Sequence, residues 1–144
     1  TKGDSGVLTL DVRAKRATGR GVGHDDPRAF EHEQGSAKRF DGCAHCIDIH
    51  TRDLLAEGMS VDKVVLVPVW QEARYLFSEQ ECAALAWSEE VTLVSETHAS
   101  DEAYAAALAV FGEKDLVDLT LTIAAMNAIN RMGVSFRMKP RAKT

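Results

Sequence analysis

The chain has 144 residues, of which 45% are hydrophobic and 27% are charged, as in an ordinary globular domain. This composition excludes a globally disordered chain, a collagen-like repeat and a disulfide-dense mini-protein. The formal net charge of −5 argues against general binding to nucleic acid.

Cysteine content and hydropathy indicate in which cellular compartment the protein is expected. The chain has 3 cysteines, an odd number, and Cys43 lies only three residues before Cys46. This spacing argues against a secreted disulfide framework and for redox or metal chemistry in a reducing compartment, so we expect a cytoplasmic protein. The longest uncharged stretch of the apolar C-terminal part, residues 119–130, is shorter than the ~20 residues that span a membrane. The first residues contain no apolar signal-peptide core, and we expect no membrane contact.

The N-terminal part of the chain differs from the rest. Six of the ten glycines fall before residue 42, where large apolar side chains are few. Glycine interrupts regular structure, and we therefore expect residues 1–40 to be an atypical segment that packs poorly or becomes ordered only against a partner subunit. Residues 41–144 are predicted to form a helical core.

The first half of that core begins with a strong helix signal. Asp41 is the candidate N-cap of a helix over 42–57, which Gly58 should end. Ser60 is expected to cap a second segment, whose nature stays open. The run 64–67 prefers a strand, but Pro68 excludes a central strand and would kink a helix.

Three further helices are predicted in the second half. The sequence of residues 78–81 fits a capping box and starts a helix over 79–94. Ser100 opens a fourth helix that ends at Gly112, and a fifth covers 113–137. The fifth is apolar around much of its circumference, which indicates burial in a core or at a subunit interface. We expect an all-α, compact helical bundle that forms oligomers.

The residues that carry chemistry are concentrated at the start of the first predicted helix. Cys43, Cys46 and His50 are spaced by three and four residues and therefore share one helix face. Cys43 stands at the helix N-terminus, where we expect it to be exposed and where the helix dipole favours a thiolate. His50, in contrast, can take the proton of Cys46. This arrangement suits one thiol that attacks a substrate and a second that resolves the product as a disulfide.

Zinc binding is the main alternative for this motif. Two thiols and an imidazole are zinc ligands, but a structural site needs a fourth. None of the remaining candidates stands at a typical spacing for the second half of a zinc site: His45, Cys82, His98, His24 and His32. A third interpretation is that the thiols are incidental.

The motif resembles the alkylhydroperoxidase D-like branch of the carboxymuconolactone decarboxylase family. That branch carries a Glu, eleven residues, Cys-x2-Cys, three residues and a His, which Glu31, Cys43, Cys46 and His50 match in spacing. The similarity covers about residues 41–138. Before residue 41 only Glu31 agrees, because the chain lacks the Leu- and Arg-rich helix that the family usually has there.

The resemblance implies a function and a role for each residue. The fold would be all-helical, assembled as trimers or hexamers, and the activity would be thiol-dependent reduction of hydroperoxides without metal, haem or flavin. Cys46 would be the peroxidatic thiol, Cys43 the resolving thiol, and His50 and Glu31 the proton relay. His45 matches a histidine that the best-known branch also uses. The electron donor would be a thiol, such as a lipoyl or thioredoxin-like partner. The decarboxylase branch, a lyase, is a second reading, and a non-enzymatic redox-sensing or zinc-binding module is a third.

Other conspicuous side chains are expected to serve the fold. Cys82, on an Ala-rich helix, is predicted to be a buried small hydrophobe. Trp70 and Trp87 lie on apolar faces and are expected to pack in the core. Asn127 and Asn130 interrupt the most apolar helix and must be hydrogen-bonded if they are buried.

Overall fold

The structure is a computed structural model that describes residues 43–141. Within this range the chain contains helices and no strand, which confirms the all-α prediction. The predictions for residues 1–40, including the position of Glu31, lie outside the described residues. The helices are α1 (Ala44–Ala56), α2 (Val61–Leu66), α3 (Glu79–Thr92), α4 (Val94–Thr97) and α5 (Asp101–Ser135).

Helix α1 begins later than the sequence predicts. Its N-cap is Cys43, whose backbone is extended and whose side chain accepts the backbone N–H of Cys46. The assignment of Asp41 as the cap is therefore wrong, because a cysteine sulfur here takes the place of the usual capping oxygen. The end of the helix is as predicted. Gly58 has φ +92°, a conformation that costs glycine little because it has no Cβ.

The ambiguous segment after Ser60 is helical. The Ser60 side chain accepts the backbone N–H of Lys63, which starts α2, and α2 ends two residues before Pro68. Pro68 has no N–H to continue the α-helical hydrogen bonding, and the chain instead forms a tight 3-10 turn over Val67–Val69. The run 64–67 is therefore helical, with residues 64–66 in α2 and Val67 in the 3-10 turn, and Val64 and Val67 are buried.

Helices α3 and α5 begin at the predicted serine caps. Ser78 and Glu81 form a complete capping box, and Ser100 accepts the backbone N–H of Ala103. Helix α3 ends at Thr92, slightly earlier than predicted, and the short α4 follows. The predicted break at Gly112 is also present. Gly112 has φ +71° inside α5, so that the two predicted helices follow one another across a kink.

Helix α5 ends in a Schellman motif rather than continuing to Arg137 as predicted. The N–H of Arg137 donates to the carbonyl of Val134 (3.1 Å), and that of Met138 donates to the carbonyl of Gly133 (2.9 Å). Arg137 has a left-handed backbone with φ +56°, the conformation that this motif requires at its C′ position. The chain then reverses and forms the C-terminal strap, residues 136–141.

The core consists of two clusters built mainly around α3 and α5. Residues of α3 and α5 form one cluster, in which Trp87 packs with Ile123, and α3 packs on the turns after α2 in the other, which contains Trp70. Each indole N–H is satisfied, that of Trp87 by Thr120 and that of Trp70 by Glu89. Both tryptophans therefore serve packing, as predicted.

Asn127 and Cys82 also match expectation. Asn127 exchanges hydrogen bonds with Thr92 at the end of α3, and Asn130 is fully buried. Cys82 is buried in the second cluster, and its burial raises the pKa of its thiol. None of the helices described here is long and apolar enough to cross a membrane.

Candidate functional site

The two thiols predicted to react lie together at the start of α1. Cys43 occupies the cap and Cys46 the first turn, and their Sγ atoms are 2.6 Å apart. The Cys43 sulfur also accepts the backbone N–H of Cys46 at 3.4 Å. A disulfide bond is about 2.0 Å long, so only a small movement separates the two free thiols from a bonded pair.

Burial of the pair differs from the sequence-based expectation. Cys43 was expected to be the exposed thiol because it stands at a helix end. It is 1% exposed and Cys46 is 5% exposed. The expectation was wrong because the C-terminal part of α5 covers this end of α1, a contact between segments about ninety residues apart in the chain.

His50 lies one turn beyond Cys46 on the continuous helix α1, as the spacing predicts. Its Nδ1 atom is 4.0 Å from Oδ2 of Asp53. Cys46, His50 and Asp53 are spaced by four and three residues, which places them along one helix face. A separation of 4.0 Å is that of an ion pair and is too long for a hydrogen bond, so that a small movement of either side chain is needed before the acid could orient the base as it does beside reactive thiols. Asp53 is thus a candidate that the motif alone did not single out.

His45 points to the C-terminal strap. Its Nδ1 lies 2.7 Å from the carbonyl oxygen of Lys139. Because a carbonyl oxygen only accepts hydrogen bonds, Nδ1 carries the proton and Nε2 is left for another interaction. The side chain between the two cysteines therefore holds the strap against α1.

A second anchor fixes the strap one turn further along α1. Oδ2 of Asp48 accepts the backbone N–H of Arg141 at 2.8 Å, and Oδ1 accepts Nε of Arg52, also at 2.8 Å. The hydrogen bond from Arg52, together with that from Arg141, lowers the pKa of Asp48 below its ordinary value of 3.8, against an opposing effect of burial. The carboxylate is therefore ionised at neutral pH, and both bonds are charge-assisted.

Two expectations from the sequence are left, the role of Glu31 and the alternative of a metal site. Glu31 lies outside the described residues, so its relation to His50 stays a prediction. Among residues 43–141, no three His, Cys, Asp or Glu side chains are grouped so that they could hold a metal ion.

Comparison with known proteins identifies the family. The sequence profile of the carboxymuconolactone decarboxylase family matches residues 37–90, which include the dithiol motif. The chain is also 32% identical over 105 residues to the uncharacterized protein YdfG of Bacillus subtilis, covering 73% of this chain and 71% of that protein. The chain belongs to the carboxymuconolactone decarboxylase family.

The fold of this family member is also similar to that of a protein of known structure. It is a crystal structure from Agrobacterium tumefaciens of a protein of unknown function with a suggested antioxidant-defence role as AhpD. The TM-score is 0.79 and the identity 28%, over 96% of this chain and 92% of that one. The AhpD-like helical fold expected from the sequence is therefore confirmed.

Sequence reasoning missed the residues that surround the dithiol from the other end of the chain. Gly133 and Lys139 come next to the start of α1, and Met138 next to Gly133, only in the folded family member. The one available signal was that a glycine stands inside a predicted helix, which often marks a close approach of backbone to another group.

Proposed function

We propose that the protein is a thiol-dependent hydroperoxide reductase whose Cys43–Cys46 pair alternates between dithiol and disulfide. The observation that carries the proposal is the 2.6 Å approach of two free, buried thiols at a helix N-terminus. Membership of the carboxymuconolactone decarboxylase family and the AhpD-like fold support it.

The proposed reaction has two thiol steps. The Cys46 thiolate attacks one oxygen of the hydroperoxide, the O–O bond breaks, and the alcohol leaves with a proton, so that Cys46 becomes a sulfenic acid. Cys43 then attacks the Cys46 sulfur. The S–S bond forms, the S–O bond breaks, and water leaves. His50 takes the thiol proton of Cys46 and returns it to the leaving oxygen, with Glu31 as the further relay group that the family resemblance implies.

Return to the dithiol requires an external reductant. A dithiol partner, of the lipoyl or thioredoxin type, attacks the disulfide, forms a mixed disulfide and leaves as its own disulfide. Because Cys43 and Cys46 are almost fully buried, reduction also requires the partner to reach the pair past the strap. His45 contributes to this access because it holds the strap through Lys139.

The test is a thiol count before and after addition of an equimolar amount of cumene hydroperoxide, with peptide mapping of any new bond. The proposal expects loss of the Cys43 and Cys46 thiols and a disulfide between them. Cys46→Ser should abolish turnover, and Cys43→Ser should stop the reaction at the sulfenic acid. Cys82→Ser is the matched control and should behave like wild type. A fully active Cys46→Ser protein would overturn the proposal.

A lyase activity is the second candidate, because the family takes its name from a decarboxylase. Such an activity relies on acid–base groups and does not need the dithiol. Turnover of a muconolactone by the Cys43→Ser/Cys46→Ser double variant would favour it. Zinc bound stoichiometrically to the purified protein, with loss of the fold on chelation, would instead favour the metal-binding module.

We propose further that the enzyme acts as a homo-oligomer, a trimer or hexamer. In the described part of the chain, α5 exposes Val117 (57%) and Leu121 (64%) on the side away from its buried face. Large exposed apolar side chains on one helix are typical of an association surface. Sedimentation at equilibrium would give the number of chains, and a monomer at micromolar concentration would contradict the proposal.

A further inference from the structure

Gly133 stands in a place where glycine is unfavourable. It is buried in the last turns of α5, and its backbone is helical, unlike that of Gly58 or Gly112, which have positive φ. Glycine inside a helix costs roughly 0.5–1 kcal/mol relative to alanine. Because its backbone is helical, the conformation does not explain why residue 133 is a glycine. The explanation lies in the atoms that surround it.

That space is occupied by sulfur atoms. A Cβ on residue 133 would lie 2.7 Å from Sγ of Cys43, 3.7 Å from Sγ of Cys46 and 3.8 Å from Sδ of Met138. Favourable contacts between nonbonded heavy atoms begin at about 3.5 Å, so that the first distance is a severe overlap and the other two are ordinary contacts. The Cys43 sulfur therefore rests directly on the backbone of α5.

We propose that Gly133 is a positioning residue for the dithiol, which it holds in the geometry for disulfide closure. This inference deepens the proposed function and rests on it for its biological meaning. The Cys43 side chain has one torsion that moves its sulfur. The same torsion sets the distance from the sulfur to Cys46, 2.6 Å, and to the backbone N–H that it accepts. A rotation that relieved an overlap with residue 133 would therefore change the geometry from which the disulfide closes.

Gly133 also contacts the C-terminal strap, which lies over the dithiol. The carbonyl of Gly133 accepts the N–H of Met138, and the Met138 sulfur lies beside the glycine. The strap then continues to its anchor on His45. A displacement at residue 133 therefore acts on the dithiol directly and on the strap through Met138.

The experiment measures the Cys43–Cys46 disulfide without any peroxide. Gly133→Ala and wild type are equilibrated with mixtures of reduced and oxidised dithiothreitol, and the fraction of disulfide is read by alkylation and mass spectrometry. We expect the equilibrium constant for disulfide formation to fall about tenfold, which is about 30 mV for a two-electron couple. Met132→Ala changes a neighbouring residue that is 58% exposed and should leave the constant unchanged.

A double-mutant cycle covers the case in which Gly133→Ala loses stability. Without the Cys43 sulfur, the nearest described atoms to the new Cβ are the Cys46 and Met138 sulfurs, both at contact distance. In a Cys43→Ala background, Gly133→Ala should therefore raise the urea midpoint, as an alanine in a helix does. In the wild-type background the same change should lower it or leave it unchanged.

Two results would overturn the inference. One is a disulfide equilibrium constant of Gly133→Ala within about twofold of wild type. The other is an equal rise of the urea midpoint in both backgrounds. Failure of the proposed function looks different. A protein that forms the disulfide with dithiothreitol and responds to Gly133→Ala, but does not react with hydroperoxide, keeps the positioning role and loses the peroxidase assignment.

Discussion

The ion pair between Lys63 and Glu81 joins α2 to the first turn of α3, and its two members are not equally buried. The Lys63 ammonium lies 2.9 and 3.0 Å from the two carboxylate oxygens of Glu81. Glu81 also accepts the backbone N–H of Ser78 at 2.6 Å. The Lys63 side chain is 27% exposed, whereas that of Glu81 is 6% exposed.

This asymmetry predicts which substitution is more harmful. Lys63→Met leaves a carboxylate that water hardly reaches and also removes the ammonium from the Phe77 ring, 5.7 Å away. We expect a loss of about 3 kcal/mol in unfolding free energy, the lower end for a broken buried pair, because the Ser78 N–H remains. Glu81→Gln keeps an acceptor for Ser78 and leaves an ammonium that reaches water. Its cost should be about 1 kcal/mol.

Urea unfolding followed by tryptophan fluorescence, at one fixed protein concentration, measures both values. Glu79→Gln is the matched control. It removes an exposed acid from the same turn of α3 and should cost no more than about 0.5 kcal/mol. A cost of Glu81→Gln equal to or above that of Lys63→Met would refute the reasoning from burial.

Three further outcomes are expected. Leu85→Ala, at a fully buried position, should lose about 2–5 kcal/mol in the same assay; a loss equal to that of an exposed alanine substitution would contradict the core assignment. Asp48→Asn should speed hydrogen exchange of the Arg141 amide at neutral pH. In wild type this amide should stay protected until the pH falls below 3.8, because the depressed pKa of Asp48 keeps its carboxylate charged above that value; equal exchange in both proteins would count against the anchor. Cys82 should resist a thiol reagent in the native protein and react after unfolding, since burial raises the pKa of its thiol; a native adduct found at Cys82 by peptide mapping would contradict this.

Residue spacing by itself determined the helical class, most helix starts and the dithiol face. Caps and breaks act within a few residues, as at Ser78, Ser100 and Gly112, so the local sequence is enough to place them. The same holds for Cys46 and His50, because any helix brings residues four apart onto one face. The family pattern was readable from the same short stretch.

The local sequence pattern was insufficient to predict structure that depends on long-range contacts. The run 64–67 has strand propensity, but its helical state follows from the Ser60 cap and from the packing of Val64 and Val67 in the core. The burial of Cys43 depends on α5, whose Gly133 lies ninety residues away in sequence.

Only the tertiary structure decided what encloses the dithiol. Gly133 and the C-terminal strap meet α1 through contacts between segments about ninety residues apart, which share no sequence signal with the Cys-x2-Cys motif. A sequence motif predicts which side chains share one face of a helix, because these side chains are only a turn apart. Which atoms cover those groups depends on how distant helices pack, and packing is settled by the shape and volume of the whole core.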